Sequence, residues 1–168
     1  MTPTRTHRGE PLAVLLVEDD PDHADLIIRS LGHQRVANRV FHVADGEEAL
    51  DYLQRRQGYG DPAKSPRPHV VLLDLRLPKI DGLEVLKEIR TSQEVSKTPV
   101  VILTTSQAEQ DVAKAYEHHA NSYLVKPLDF ENFTRMMADM GFYWLGWNYY
   151  PWSEGCGVAA SIPGARAT

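Results

Sequence analysis

The stretch VVLLDLRLPKIDG, Val70 to Gly82, runs four apolar residues into a bare aspartate, Asp74. An unbroken apolar run of this length, bounded by turn residues, reads as a strand covered on both faces, as in a parallel sheet packed under helices. An unpaired buried charge costs several kcal/mol, so a carboxylate at the end of such a strand must be solvated, paired with a cation or held beside a metal ion. The residues around it decide which.

The same unit repeats on either side. LAVLLV, Leu12 to Val17, breaks into EDDP, where Asp20 can cap a helix that starts on Pro21 and carries Ala24, Ile27, Ile28 and Leu31 on one face before Gly32 ends it. RVFHV, 39–43, precedes Asp45 and Glu48, a capping-box pair for a helix with Ala49, Leu50 and Leu53 inside. Asp81 and Glu84 stand in the same relation after the central stretch, as do Ser106 and Glu109 after PVVILTT, with Val112, Ala115 and Tyr116 following at helical spacing. NSYLVKP leads to Asp129, where Leu128 and Phe133 form a predicted hydrophobic staple ahead of Met136, Met137 and Met140. Five alternating strand and helix pairs imply an α/β fold, a doubly wound parallel sheet. The segment 57–68, with two Gly and three Pro, reads as a surface loop between the second helix and the third strand.

In such a sheet the carboxyl ends of the strands converge on one crevice, where ligands bind. Glu18, Asp19 and Asp20 follow strand one, Asp74 ends strand three, Thr104 and Thr105 end strand four, and Lys126 ends strand five. Carboxylates gathered this way repel one another, and an all-oxygen donor set suits a hard divalent cation such as Mg2+. Lys126 as a point charge and Thr104 as a hydrogen-bond donor complete a site suited to a phosphoryl group on Asp74.

Composition limits the alternatives. A chain of 168 residues with 42% hydrophobic and 24% charged residues can bury a proper core, and its formal net charge of −5 offers no general field for nucleic acid. No apolar run reaches the roughly 20 residues of a membrane span, and MTPTRTHRGEP lacks the apolar core of a signal peptide, so the cytoplasm is the expected compartment. Cys156 is the one cysteine, and His69, His118 and His119 match no metal spacing. No GxGxxG follows a strand, which removes a dinucleotide role.

Taken together, LLVEDDP (15–21), the strand ending in Asp74 with LRLPKIDG behind it, LTTS (103–106) and YLVKP (123–127) resemble the receiver domain of two-component response regulators of the single-domain chemotaxis type. The resemblance implies a flavodoxin-like (βα)5 receiver over 12–140, with strand order 2-1-3-4-5, a polar leader at 1–11, an inserted loop at 57–68 and an extension at 141–168. It further implies that Asp74 is the phosphoacceptor, that Asp19, Asp74 and the backbone carbonyl of Arg76 hold Mg2+ with Glu18 acting through water, and that Lys126 pairs with the phosphoryl oxygens. Thr104 and Tyr123 are the implied switch residues, and the Lys126–Pro127 bond is expected to be cis.

The loop and the tail resemble the single-domain regulators that partner phytochromes. The implied donor is a sensor histidine kinase of the bacteriophytochrome kind, and the implied output is altered protein binding without a DNA-binding domain. FYWLGWNYYPW, 142–152, holds half of the chain's aromatic residues and all three tryptophans. So much apolar surface at a chain end predicts packing against a second subunit, with folding back on its own domain or docking to another partner as the alternatives. Beyond it, GCGVAASIPGARAT reads as a loose tail. Two rival functions differ in chemistry. A haloacid dehalogenase phosphatase also uses a strand-end aspartate with Mg2+, but needs a second aspartate two residues on, where this chain has Arg76. A phosphorylation-independent interaction or dimerisation module needs none of the site.

Overall fold

The computed structural model describes residues 11–150; Trp152, Cys156 and the expected loose tail lie outside the described residues, as does the leader to residue 10. Strands β1 (Leu12–Val17), β2 (Asn38–Val43), β3 (Val70–Leu73), β4 (Val100–Thr104) and β5 (Ser122–Val125) alternate with helices α1 (Pro21–Gly32), α2 (Gly46–Leu53), α3 (Gly82–Thr91), α4 (Glu109–Glu117) and α5 (Phe130–Gly141). The five strands form one sheet in the order β2-β1-β3-β4-β5, with all pairings parallel. The expected doubly wound flavodoxin-like topology is therefore present.

Each strand of a covered sheet supplies side chains to two cores, because successive residues point to opposite faces. Leu15, Val17, Val71, Leu73 and Ile102 pack beneath α2 and α3. Leu16, Leu72, Val101 and Leu103 pack beneath α1 and α5. All four residues of β3 are at most 1% exposed. Burial of that kind stabilises by about 1.5–3 kcal/mol per side chain and holds the strand end, and with it Asp74, in one place.

Local chemistry starts most of the helices. Asp20, Asp45, Asp81 and Asp129 each sit in extended backbone and accept from amides of the following turn, as the cap pattern requires. Helix α4 differs. Its N-cap is Ala108, without a side-chain cap, because the Ser106 hydroxyl donates to Asp111 Oδ2 at 2.5 Å. The predicted staple at α5 is also absent: Leu128 is fully exposed while Phe133 is buried in the core. Ile28 and Tyr116, at the edges of the apolar stripes of α1 and α4, face solvent in part. The Lys126–Pro127 peptide, expected cis, is trans, the ordinary ground state of an X–Pro bond by about 0.5–1 kcal/mol.

Gly82 shows how tightly α3 approaches the site. A Cβ there would lie 2.2 Å from the Asp74 carbonyl oxygen, so only glycine lets the helix begin directly under the strand end. At the other end of the chain, α5 runs without a break into a π-helical segment, Phe142–Trp147. Trp144 and Leu145 turn into the α1–α5 core, whereas Phe142, Tyr143, Trp147 and Tyr149 remain exposed. Part of the aromatic segment thus folds back on its own domain, the expected alternative, and the other four side chains stay on the surface. None of the described helices is long and apolar enough to cross a membrane.

Candidate functional site

Four strand ends build the site. Glu18 follows β1, Asp74 follows β3, Thr104 closes β4 and Lys126 follows β5; all four are buried, and Asp19 beside them is exposed. Parallel pairing puts these ends at one edge: Val17 is level with Leu73, and Thr104 with Val125. Carboxylate oxygens of Glu18, Asp19 and Asp74 lie within 4.8 Å of one another.

Lys126 resolves part of the charge. Its Nζ donates to Asp74 Oδ2 at 3.0 Å and forms a short ion pair with Glu18 Oε2. A third neighbour, His23 Nδ1, lies 3.1 Å from the same ammonium and 3.9 Å from Glu18. Burial pushes the Glu18 carboxyl up to about 7, against the opposing pull of Lys126, while the Asp74 charge adds to the rise. One ammonium therefore serves two carboxylates. The donor set is all oxygen, and the surplus negative charge fits a divalent cation held by Glu18, Asp19 and Asp74.

The Asp74 side chain also accepts from the Arg76 amide at 3.2 Å, which turns the loop after β3 back over the strand end and leaves the Arg76 side chain pointing outward to Asp111 at 2.7 Å. Thr104 Oγ1 lies 3.4 Å from the Ser106 amide. Ser106 then branches, giving its hydroxyl to Asp111 and accepting the Tyr123 hydroxyl on its carbonyl at 2.9 Å. Burial raises the Tyr123 phenol, the Ser106 contact opposing it. A continuous polar path therefore runs from Thr104 through Ser106 to Tyr123 and, by way of Asp111, to Arg76.

All seven residues singled out in the sequence lie at this edge or on that path. Sequence reasoning missed three others. His23 lies in the first turn of α1 and gives no motif signal; Asp111 reads as a surface helix residue; Ser106 reads as a cap, when its hydroxyl in fact ties the loop after β4 to α4. Only the partners, 5 to 103 residues distant, define them.

The family model for the response regulator receiver domain matches residues 14–138. The probable methanogenesis regulatory protein FilR2 of Methanothrix harundinacea is 46% identical over 142 residues, 84% of this chain and 89% of that protein. Response regulator Rcp1 of Synechocystis sp. is 38% identical over 135 residues, 80% of this chain and 90% of its own length. The Mn2+-bound crystal structure of Rcp1 superposes with a TM-score of 0.79, covering 84% of this chain and 99% of that one. The phosphorylated cyanobacterial phytochrome response regulator RcpA, 35% identical, superposes with a TM-score of 0.80 over the same shares.

Proposed function

The chain belongs to the response regulator receiver domain family, and from that membership we propose that it is a switch operated by phosphorylation of Asp74. The carrying observation is the contact of Lys126 Nζ with Asp74 Oδ2 at 3.0 Å, within a cluster of carboxylates at the carboxyl edge of the sheet. A sensor histidine kinase presents a phosphohistidine; the Nε–P or Nδ–P bond breaks, an Asp74 Oδ–P bond forms, and the released imidazole takes a proton from water. The similarity to phosphorylated RcpA supports the acceptor role and a phytochrome as donor.

This chain positions the group rather than supplying acid or base. Lys126, already aimed at Asp74, neutralises phosphoryl oxygens, and the buried Thr104 hydroxyl donates to another. Drawing Thr104 inward loosens its contact with the Ser106 amide, and the path through Ser106 carries the change to Tyr123 and the surface of α4 and β5. Mg2+ held by Glu18, Asp19, Asp74 and the Arg76 carbonyl would offset the charge of the arriving phosphoryl group. That Rcp1 has a Mn2+-bound form supports divalent-cation binding by this chain.

Intact mass after incubation with Mg2+ and acetyl phosphate or phosphoramidate tests this. One acid-stable, base-labile phosphoryl group is expected, absent without Mg2+ and absent in Asp74→Asn. No gain from a folded protein would replace the switch with a phosphorylation-independent interaction module. Output is proposed to be altered binding by a homodimer built on the exposed aromatics Phe142, Tyr143, Trp147 and Tyr149. Sedimentation should show a dimer that the pair Phe142→Ala and Trp147→Ala dissociates without unfolding; a monomeric parent chain would remove this part.

A further inference from the structure

At the amino edge of the sheet, opposite the Asp74 site, the loop between α2 and β3 and the loop between α3 and β4 frame a half-open cavity of about 490 Å3. That volume lies in the range of small-molecule sites, about 300–1,000 Å3. Its walls are fixed by polar contacts of their own. The Tyr52 hydroxyl donates to the Pro66 carbonyl at 2.8 Å in the core and ties down the first loop. Arg90 spans the second loop, donating to the carbonyls of Ser96, Thr98 and His119 and to Asn121 Oδ1 at 2.7–3.0 Å. A cavity with preset walls does not have to order its loops when a ligand enters.

The charge on those walls is one-sided. Among the described residues Arg55, Arg67 and Lys97 line the cavity against a single carboxylate, Glu94. Arg55 and Lys97 have no carboxylate within 4.0 Å among the described residues, so their charges are free to meet a ligand. Arg67, half-buried, is lowered by burial; Glu94 opposes the shift and Arg55 adds to it, which places the two guanidiniums in each other's field. Arg55 also holds a left-handed backbone, φ 56°, a conformation that costs a non-glycine residue about 1–2 kcal/mol and directs its side chain toward the Ser65 carbonyl at the cavity wall. Two cations without a carboxylate partner among the described residues, Arg55 and Lys97, beside a preformed volume of this size suit an anion.

We infer that this cavity binds a small multivalent oxyanion, a polycarboxylate or a phosphorylated small molecule, through Arg55 and Lys97, with Arg67 on the same wall. The site is independent of Asp74: it is framed by the loops that lead into β3 and β4, whereas Asp74 and Thr104 stand at the far ends of those strands.

Titration calorimetry of the metal-free full chain at low salt, with citrate and with inorganic pyrophosphate as probes, tests it. Saturable binding of one equivalent is expected, weakened about tenfold or more in the double variant Arg55→Gln and Lys97→Gln, where charge-assisted contacts are lost, and unchanged in Asp74→Asn. The probe that binds more tightly identifies the polycarboxylate or the phosphorylated source. Arg55→Gln alone, at an exposed position, serves if the double variant loses its fold. Absence of saturable binding by either probe at millimolar concentration, binding indifferent to these substitutions, or binding abolished by Asp74→Asn would each overturn the assignment.

Discussion

At the carboxyl edge of the sheet Glu18, Asp74 and Lys126 bury their charges against one another, whereas at the amino edge Arg55 and Lys97 keep theirs in solvent and Arg90 spends its donors on loop carbonyls. The first arrangement places charge where burial is costly and leaves a carboxylate surplus. The second places neutral acceptors around a cation and closes loops. One edge is thus held together by electrostatics that a new ligand can rewrite, the other by hydrogen bonds that no ligand needs to disturb.

The largest effect that can break this contrast is Lys126→Met. Removing one partner from a buried charge cluster should destabilise the metal-free protein by about 3–5 kcal/mol, because Glu18 and Asp74 lose their counter-charge. Urea unfolding with a chelator reads the loss, and added Mg2+ should recover part of it by binding the folded state alone. Equal stability of the variant and the parent would mean that Lys126 does not neutralise the edge.

Arg90→Ala comes next, at about 2–3 kcal/mol, since several carbonyls lose a charged donor at once. Unlike Lys126→Met, it should be insensitive to Mg2+. A metal-dependent loss there would couple the two edges and erase the distinction.

The smallest effect concerns a cap, Asp45→Ala, at about 1 kcal/mol. Burial raises the Asp45 carboxyl, but the Glu48 amide and Lys79 outweigh it, so its folded-state value lies below the unfolded one. Its contribution is accordingly complete above the unfolded value near 4 and fades as pH falls through the folded value. Melting temperature against pH should therefore fall less steeply below pH 4 in Asp45→Asn than in the parent. Parallel curves would assign the cap no share in acid unfolding.

Sequence carried the strand and helix alternation because the signals are local. Apolar runs such as VVLL, and aspartates three residues ahead of a turn, act within one element, so Asp20, Asp45, Asp81 and Asp129 could all be read as caps. Ser106 obeys the same rule on paper and fails it in space, because Asp111 of the following helix offers its hydroxyl a charged acceptor. Leu128 fails for a related reason: Phe133 turns inward toward α1 and leaves nothing at the helix start for Leu128 to cover.

By itself the sequence determined the fold class, the edge at which the chemistry gathers and the residue types found there, since strand ends in a parallel sheet must converge whatever their detailed packing. Tertiary structure alone decided which groups meet. Lys126 reaches Glu18 across 108 residues and Asp74 across 52, His23 joins them from α1, the aromatic segment splits between core and surface, and two loops far apart in sequence close around a basic cavity. The physical reason is range: propensity and periodicity act over a few residues, but a charge's partner is fixed by the register of strands and the packing of the helices that cover them.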